Sequence, residues 1–421
     1  MTVLSPFRTR LALLALAVGG FAIGCTEFVA MGLLPNLAND LLPAEYAASP
    51  ESANAQAGML ISAYALGVVV GAPTIAALSA RFPRKKLLLS LLIAFTLATV
   101  ASALLPTFGW VLAARFVAGL PHGAYFGIAA LVAAQLMGPG KRGQGVAFVL
   151  TGLTLANVIG VPAITLLGQT SGWRIAYIAV AAMFALTFIA VWLLVPFQPG
   201  DQTATLRREL RAFRRGQVWF ALGIGAIGFG GLFSVYSYVA PIVTDVTGLG
   251  AGLVPVMLIV LGLGMTIGNL VGGRVADWNV IRGMFIFFGV FAVALLGLAL
   301  TASTVAGLII FLFLVGGAAS ALSPTIQTRL MAVAGDSQTI AAALNHAALN
   351  IGNSLGAWIG GLTIAAGLGY LAPSWAGLAL CLAGALLAAI SVFVDRRTAG
   401  KLERGRALGL QEDAVLDGAL S

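Results

Sequence analysis

Twelve apolar runs, each long enough to cross a bilayer, constrain this 421-residue chain more than any other feature. A membrane-crossing helix needs about 20 apolar residues. Brief polar or Gly/Pro breaks divide the chain into spans 1 to 12 at 11–35, 56–79, 86–105, 109–136, 145–168, 173–195, 218–241, 252–275, 283–303, 306–331, 338–364 and 373–394. Strands of a transmembrane barrel would alternate over about ten residues, whereas Leu87 to Leu105 is a continuous run. Lipid tolerates only backbones that satisfy their own hydrogen bonds, so the expectation is an all-α membrane protein with twelve transmembrane helices. Only 9% of the residues are charged, against about a quarter in soluble domains. That excludes a soluble enzyme, a disordered scaffold and a disulfide-stapled secreted domain. Cys25 and Cys381 both lie inside spans and read as small apolar fillers, with no metal site expected.

The formal charge of +9 would suggest nucleic acid in a soluble protein, but its placement says otherwise. Of the 23 Lys and Arg, 21 fall in alternate connections, from Arg8 and Arg10 at one terminus to the group Arg396–Arg406 at the other. Only Arg115 and Arg174 stand apart. Basic loops are retained in the cytoplasm, so both termini are expected there and no nucleic-acid partner is implied. The first run contains Glu27 and is too long for a secretory signal, so it reads as span 1.

The chain repeats itself. Gly67-Val-Val-Val-Gly71 corresponds to Gly264-Met-Thr-Ile-Gly268 at an offset of 197, with Ala80 and Asp277 nine residues after the second glycine in each. Asn157-Val-Ile-Gly160 corresponds to Asn353-Ser-Leu-Gly356 at an offset of 196. Spans 2 and 5 therefore map onto spans 8 and 11. Two pseudo-symmetric six-helix halves follow, 1–195 and 218–394, joined by a linker at 196–217 and followed by a tail at 395–421 that is expected to be disordered. Such halves place a substrate site between them near the midplane. Within the linker, Leu206, Leu210 and Phe213 share one helical face while five arginines occupy most of the rest. That pattern suits either a short helix on an anionic leaflet or a solvated basic linker.

Ionisable groups inside the membrane cost at least ~2.5–3.5 kcal/mol and mark function by default. Glu27 lies roughly 10 Å and Arg115 roughly 9 Å below the outer face, from the rise of a helix, on antiparallel spans 1 and 4. Equal depth makes them potential partners: a carboxyl that takes up a proton apart from a cation and releases it beside one couples protons to conformation. The alternative is a fixed ion pair that holds the bundle. His122 shares a face with Arg115 and Gly119 and is either a third proton-coupling group or a packing residue. Span 11 carries Asn345, His346, Asn350 and Asn353, amides that either bond across helices or line a wet cavity. Tyr64, Tyr125, Asn157, Tyr236, Tyr238 and Gln327 are candidates to complete a mostly apolar substrate cavity. Pro35, Pro162 and Pro241 are expected to bend their spans.

At these residues the chain resembles the major facilitator superfamily, and within it the twelve-span drug:proton antiporters near the bacterial chloramphenicol-efflux and arabinose-efflux permeases. Gly24-Cys-Thr-Glu-Phe-Val-Ala-Met-Gly-Leu-Leu-Pro35 looks like that group's opening signature. Arg81-Phe-Pro-Arg-Lys-Lys86, following Gly71, looks like the superfamily's basic loop. Arg115-Phe-Val-Ala-Gly-Leu-Pro-His-Gly123 looks like its conserved-arginine motif, and Gly152 through Gly160-Val-Pro162 to Gly168 like the antiporter motif. The resemblance implies conformational or gating roles for Gly71, Arg81, Arg84, Lys85, Gly160, Pro162, Asp277 and Arg282. The chain departs from the pattern at Ala80, where the loop has an acid, at Pro83, where it has a glycine, and at Val161, inside the Gly-Pro pair. Asp277 with Arg282 keeps the acid and base of the loop in the second half.

The resemblance implies a monomeric secondary transporter of the bacterial inner membrane, exporting a small organic solute, drug-like or sugar-like, in exchange for protons, with the proton gradient in place of any cofactor. The alternative is an uptake symporter or facilitator for a sugar or purine nucleoside. An enzyme is not expected: the chain has two histidines and no HExxH or GxSxG, and the absence of a phosphate loop argues against ATP-driven transport.

Overall fold

The computed structural model describes residues 5–79, 82–138, 141–200, 215–334 and 338–418, with side chains left aside at 76–79, 142–143, 334, 338–343 and 398–418. Arg81 and the linker helix reading at 206–214 lie outside the described residues.

The structure is an all-α bundle. Among the described residues, ten helical stretches are long and apolar enough to cross a membrane, and one of them, Ala251–Thr301, holds both span 8 and span 9. They are separated at Asn279, whose backbone leaves the helix at φ −164°, ψ 104°. Its side-chain Oδ1 accepts from Arg282 N at 2.9 Å and so caps span 9. Span 11 is the helix Gln338–Ala365, less apolar than its neighbours because of its asparagines and histidine. Span 1 is Pro6–Gly32, opened by Ser5, whose Oγ accepts from Arg8 N, with a proline in the first turn where no N–H is needed. Three short helices, Leu34–Leu41, Pro43–Ala48 and Pro50–Ala57, fill the connection between it and span 2 and overlap the expected ends of both spans. Each again carries proline in its first turn.

Prolines do not simply bend the spans. In span 5 the chain widens to a π-turn over Ala156–Gly160, closed by Val161 N bonding Ala156 O, just before Pro162. In span 7 the helix breaks at Tyr238 and a π-turn over Ile242–Val246 follows Pro241. A residue without an N–H leaves a carbonyl unpaired, and the wider turn re-registers the ladder around it. The tail expected to be disordered continues span 12 as one helix, Ala372–Gly418; residues 396–418 hold no proline, and the helix formers Ala, Leu, Arg, Lys, Gln and Glu make up most of them despite four glycines.

The repeat is visible as packing. A Cβ on Gly67 or Gly71 would overlap the carbonyl oxygens of Phe116 or Leu120, and one on Gly264 or Gly268 those of Phe313 or Gly317. Spans 2 and 4, and their counterparts 8 and 10, thus touch backbone to backbone through glycines and the same pairs of positions, again 197 apart.

The two ends of the bundle differ. One end is acidic, with Asp40, Glu45, Glu51 and Asp245 in its connections; the other carries the termini and basic connections. A continuous apolar core that includes Met31, Leu34 and Leu37 with Tyr236, Val239 and Leu258 crosses between the halves, whereas Leu16, Leu92, Phe95 and Phe184 form a core inside the first half. Polar links cross the seam at and above the middle: Ser62 Oγ donates to Ser354 O (3.1 Å), Asn54 Nδ2 to Tyr370 OH (2.8 Å) and Gln169 Nε2 to Ala251 O (3.0 Å). At the basic end, Lys85 Nζ donates to Trp192 O (2.7 Å) and Arg329 pairs with Asp395 (2.9 Å), each within one half.

Candidate functional site

Span 1 delivers Thr26, Glu27 and Phe28 to the centre of the bundle, all buried. Glu27 has two partners from opposite halves. Asn353 Nδ2, on span 11, donates to Glu27 Oε1 at 3.2 Å. His122 Nδ1, on span 4, stands 4.0 Å from Glu27 Oε2, an ion pair only with the imidazole protonated and the carboxyl ionised. The same Nδ1 lies 3.1 Å from Tyr64 OH, with donor and acceptor set by the tautomer. Glu27, His122 and Tyr64 thereby cluster within the first half, with one ring nitrogen hydrogen-bonded to the phenol and facing the carboxyl at a distance longer than a hydrogen bond.

Arg115 is fully buried yet is not ion-paired with Glu27: among the described residues the pairs within 4.0 Å are His122–Glu27, Arg174–Asp40 and Arg329–Asp395. Its Nη1 donates to Oγ1 of Thr26, one residue before Glu27, at 3.3 Å. Its guanidinium lies 4.4 Å over the Tyr64 ring and 5.6 Å from that of Tyr177. Two aromatic faces and a carboxylate next along span 1 offset part of the cost of burying the charge. Helical rise sets equal depth for Glu27 and Arg115 but not which way each points, so the arginine meets the residue beside the acid.

Across the seam, Phe28 stacks on Tyr236 (centroids 5.4 Å apart, planes at 17°), and Tyr236 OH approaches Asn157 Oδ1 at 3.5 Å. Phe126 lies parallel to His346 at 5.8 Å. The buried Oδ1 atoms of Asn345, Asn350 and Asn353 accept no hydrogen bond in the structure; such acceptors match a solute's O–H or N–H. Nδ2 of Asn350 is spent on His346 O (3.0 Å) and that of Asn157 on Leu153 O (3.1 Å). Gln327 is half-buried near the basic end.

Other candidates serve packing. Tyr125 OH donates to Leu16 O (3.0 Å) and packs on Gly19; Tyr238 OH donates to Ala357 O (2.7 Å) and packs on Gly58 and Gly361. Gly71 packs span 2 on span 4, and Gly160 faces Cys25 and Phe21 of span 1. Arg84 bonds Gln198 O through its backbone N (3.0 Å). Asp277 and Arg282 are not paired within 4.0 Å; Asn279 turns the chain between them, and Arg282 lies 5.9 Å from the Trp278 ring. Thr26, Phe28, Phe126 and Tyr177 were missed. Thr26 and Phe28 flank Glu27 in the opening signature, so that motif was their signal; Tyr177, one aromatic in an apolar span, carried none.

A two-half helical bundle with a buried acid, base and amide at its central seam is a membrane transporter. The Major Facilitator Superfamily model matches residues 16–339 and 257–416, and the chain belongs to that superfamily. It is 38% identical over 378 residues to the inner membrane transport protein YdhP of Escherichia coli (strain K12), covering 88% of this chain and 94% of that protein. It is 34% identical over 383 residues to the chloramphenicol resistance protein of Streptomyces lividans, covering 90% and 95%. The crystal structure of a D-xylose–proton symporter superposes with a TM-score of 0.72 at 18% identity, over 90% of this chain and 97% of that one, a likeness of fold.

Proposed function

We propose that the protein is a proton-coupled exporter of a small, largely uncharged organic solute, chloramphenicol-like or sugar-like, working by alternating access with its basic end in the cytoplasm of a bacterial cell. The observation that carries this is Glu27: a buried carboxyl bonded across the seam to Asn353 and approached within its own half by His122. Rocking of the halves must break the Asn353 bond, so the acid has different company in the two states, which is what links protonation to conformation. Phe28, Tyr236, Asn157 and the Asn350–Asn353 face offer an apolar, hydrogen-bonding lining that suits a neutral solute better than an ion. The drug-resistance relative and the inner-membrane relative support the direction and the membrane.

The test is a drug-susceptibility panel on cells overproducing the protein, with Glu27→Gln at matched expression and an uncoupler arm. Resistance to at least one neutral compound, lost in Glu27→Gln and on uncoupling, is expected. Resistance that survives Glu27→Gln overturns the coupling role, and solute accumulation in place of resistance overturns the direction.

A further inference from the structure

The acidic end holds a cavity that the central site does not use. It measures ≈ 500 Å³ and lies between the halves, lined by Tyr46, Glu51 and Asn54 from the first and by Thr244, Asp245 and Tyr370 from the second. Its polar lining is rich in acceptors. Glu51 and Asp245 bring one carboxylate from each half to the cavity; burial and the charge of Glu51 hold the Asp245 carboxyl above the usual aspartate range. The hydroxyl of Tyr370 is likewise pushed up, to about 12, by burial first and then by the charges of Asp245 and Glu51. These groups therefore sense one another across the seam. Asn54 is only 2% exposed; its Nδ2 donates to Tyr370 OH at 2.8 Å while its Oδ1 accepts nothing. Arg174, at the same end, is committed to Asp40 (2.9 Å) and to the carbonyls of Ala103 (2.8 Å) and Leu105 (3.1 Å).

We propose that this cavity is a binding site for a small organic cation, a protonated alkylamine whose ammonium bridges Glu51 and Asp245 and donates to Asn54 Oδ1 while its alkyl part lies against Tyr46 and Tyr370. A hard divalent ion wants six or more oxygens in a compact shell, whereas this lining alternates acceptors with aromatic rings. The site takes residues from both halves, so its occupant joins them at the acidic end. Parting the halves there dismantles the site, and by linkage the bound amine favours the arrangement closed at that end. The site is separate from Glu27 and independent of substrate and direction, so its test requires no transport.

The experiment is a titration of the purified full-length protein with butylammonium chloride at constant ionic strength, read by thermal unfolding midpoint and tryptophan fluorescence. A saturable stabilisation in the millimolar range is expected. Glu51→Gln and Asp245→Asn, both at exposed positions, are each expected to weaken it about fivefold, the scale of one partly exposed charge contact. Glu45→Gln, an acid outside the cavity, should leave the affinity unchanged. The proposal is overturned if the wild type gives no saturable response, if calcium chloride at matched ionic strength stabilises as well as butylammonium, or if neither cavity variant alters the affinity. If a variant fails to fold, the wild-type titration with its calcium arm still decides.

Discussion

Replacing Gly71 by alanine puts the repeat packing to a quantitative test. A methyl group on Gly71 would overlap the carbonyl oxygen of Leu120 and lie 2.5 Å from that residue's C and Cα, where ordinary contact begins at 3.4 Å. Every atom it meets is backbone, so no rotamer change can make room. Clearing that oxygen, the nearest atom, requires spans 2 and 4 to part by more than about 1 Å, a gap that forfeits about half of each dispersion contact along the stripe. Alanine recovers about 0.5–1 kcal/mol of helix propensity, and overpacking typically costs about 1–3 kcal/mol; with backbone on both sides the upper end applies, and the net expectation is a loss of about 2 kcal/mol. Gly127 supplies the control: it lies in the same span 4, faces outward, and a Cβ there meets nothing within 4 Å. Unfolding of the purified variants in mixed detergent should show Gly71→Ala well below the wild type and Gly127→Ala at or slightly above it. If Gly71→Ala is as stable as Gly127→Ala, the close approach of spans 2 and 4 is wrong, and the equivalent contact at Gly268 falls with it.

Tyr64→Phe removes the hydroxyl 3.1 Å from His122 Nδ1 but keeps the ring under Arg115; stability should fall by about 1 kcal/mol, and the pH profile of transport in vesicles should change while expression does not. Asn353→Leu deletes the amide that bonds Glu27 across the seam; the variant should fold yet lose uncoupler-sensitive transport, checked in the same vesicles. Butylammonium affinity should be full where Asp245 is ionised and fall as pH drops through its raised range, above that of a free aspartate. Glu51, Tyr46, Tyr370 and Thr244 face that group, and a titration repeated in Asp245→Asn should lose the higher-pH part of the dependence.

Much of the scaffold was legible because it is written in periodic or exclusionary signals. Lipid excludes charge, so the apolar runs and the basic connections marked the spans, including the separation of spans 8 and 9 that one continuous helical stretch nearly conceals. The glycine pairs were legible as a repeat, and the structure gives their reason in the carbonyls of Leu120 and Gly317. The helices at Leu34–Ala57 were not: Leu34, Leu37, Ala38 and Leu41 do recur at helical spacing and are buried, but stretches of 8, 6 and 8 residues are too short for a period to stand out. At the site, rise along a helix gave depth but no azimuth: Tyr125 and Tyr238 sit in the right spans and face packing seams, while Tyr177 points at Arg115 without a motif to announce it. Arg329 and Asp395 stand at the ends of spans 10 and 12, positions readable from the sequence, but their pairing depends on which spans are neighbours.

The repeat also shows what the second half lacks. Shifted by the offset that superposes the glycine pairs, Tyr64, Arg115 and His122 fall on Leu261, Leu312 and Ala319, all fully buried. One half thus carries a buried cluster of cation, imidazole and phenol where its pseudo-symmetric counterpart carries a dry apolar one. Packing glycines survive in both copies because both must bring spans together; titratable groups survive in one. Under the proposed cycle, proton chemistry then belongs to the first half, and the second half acts on it through Asn353 at Glu27 and through His346 against Phe126. A rocking motion leaves the contacts inside each half intact and breaks those between them. The carboxyl therefore keeps His122 and loses Asn353 when the seam opens, and that single exchange of partners is where solute movement and proton movement meet.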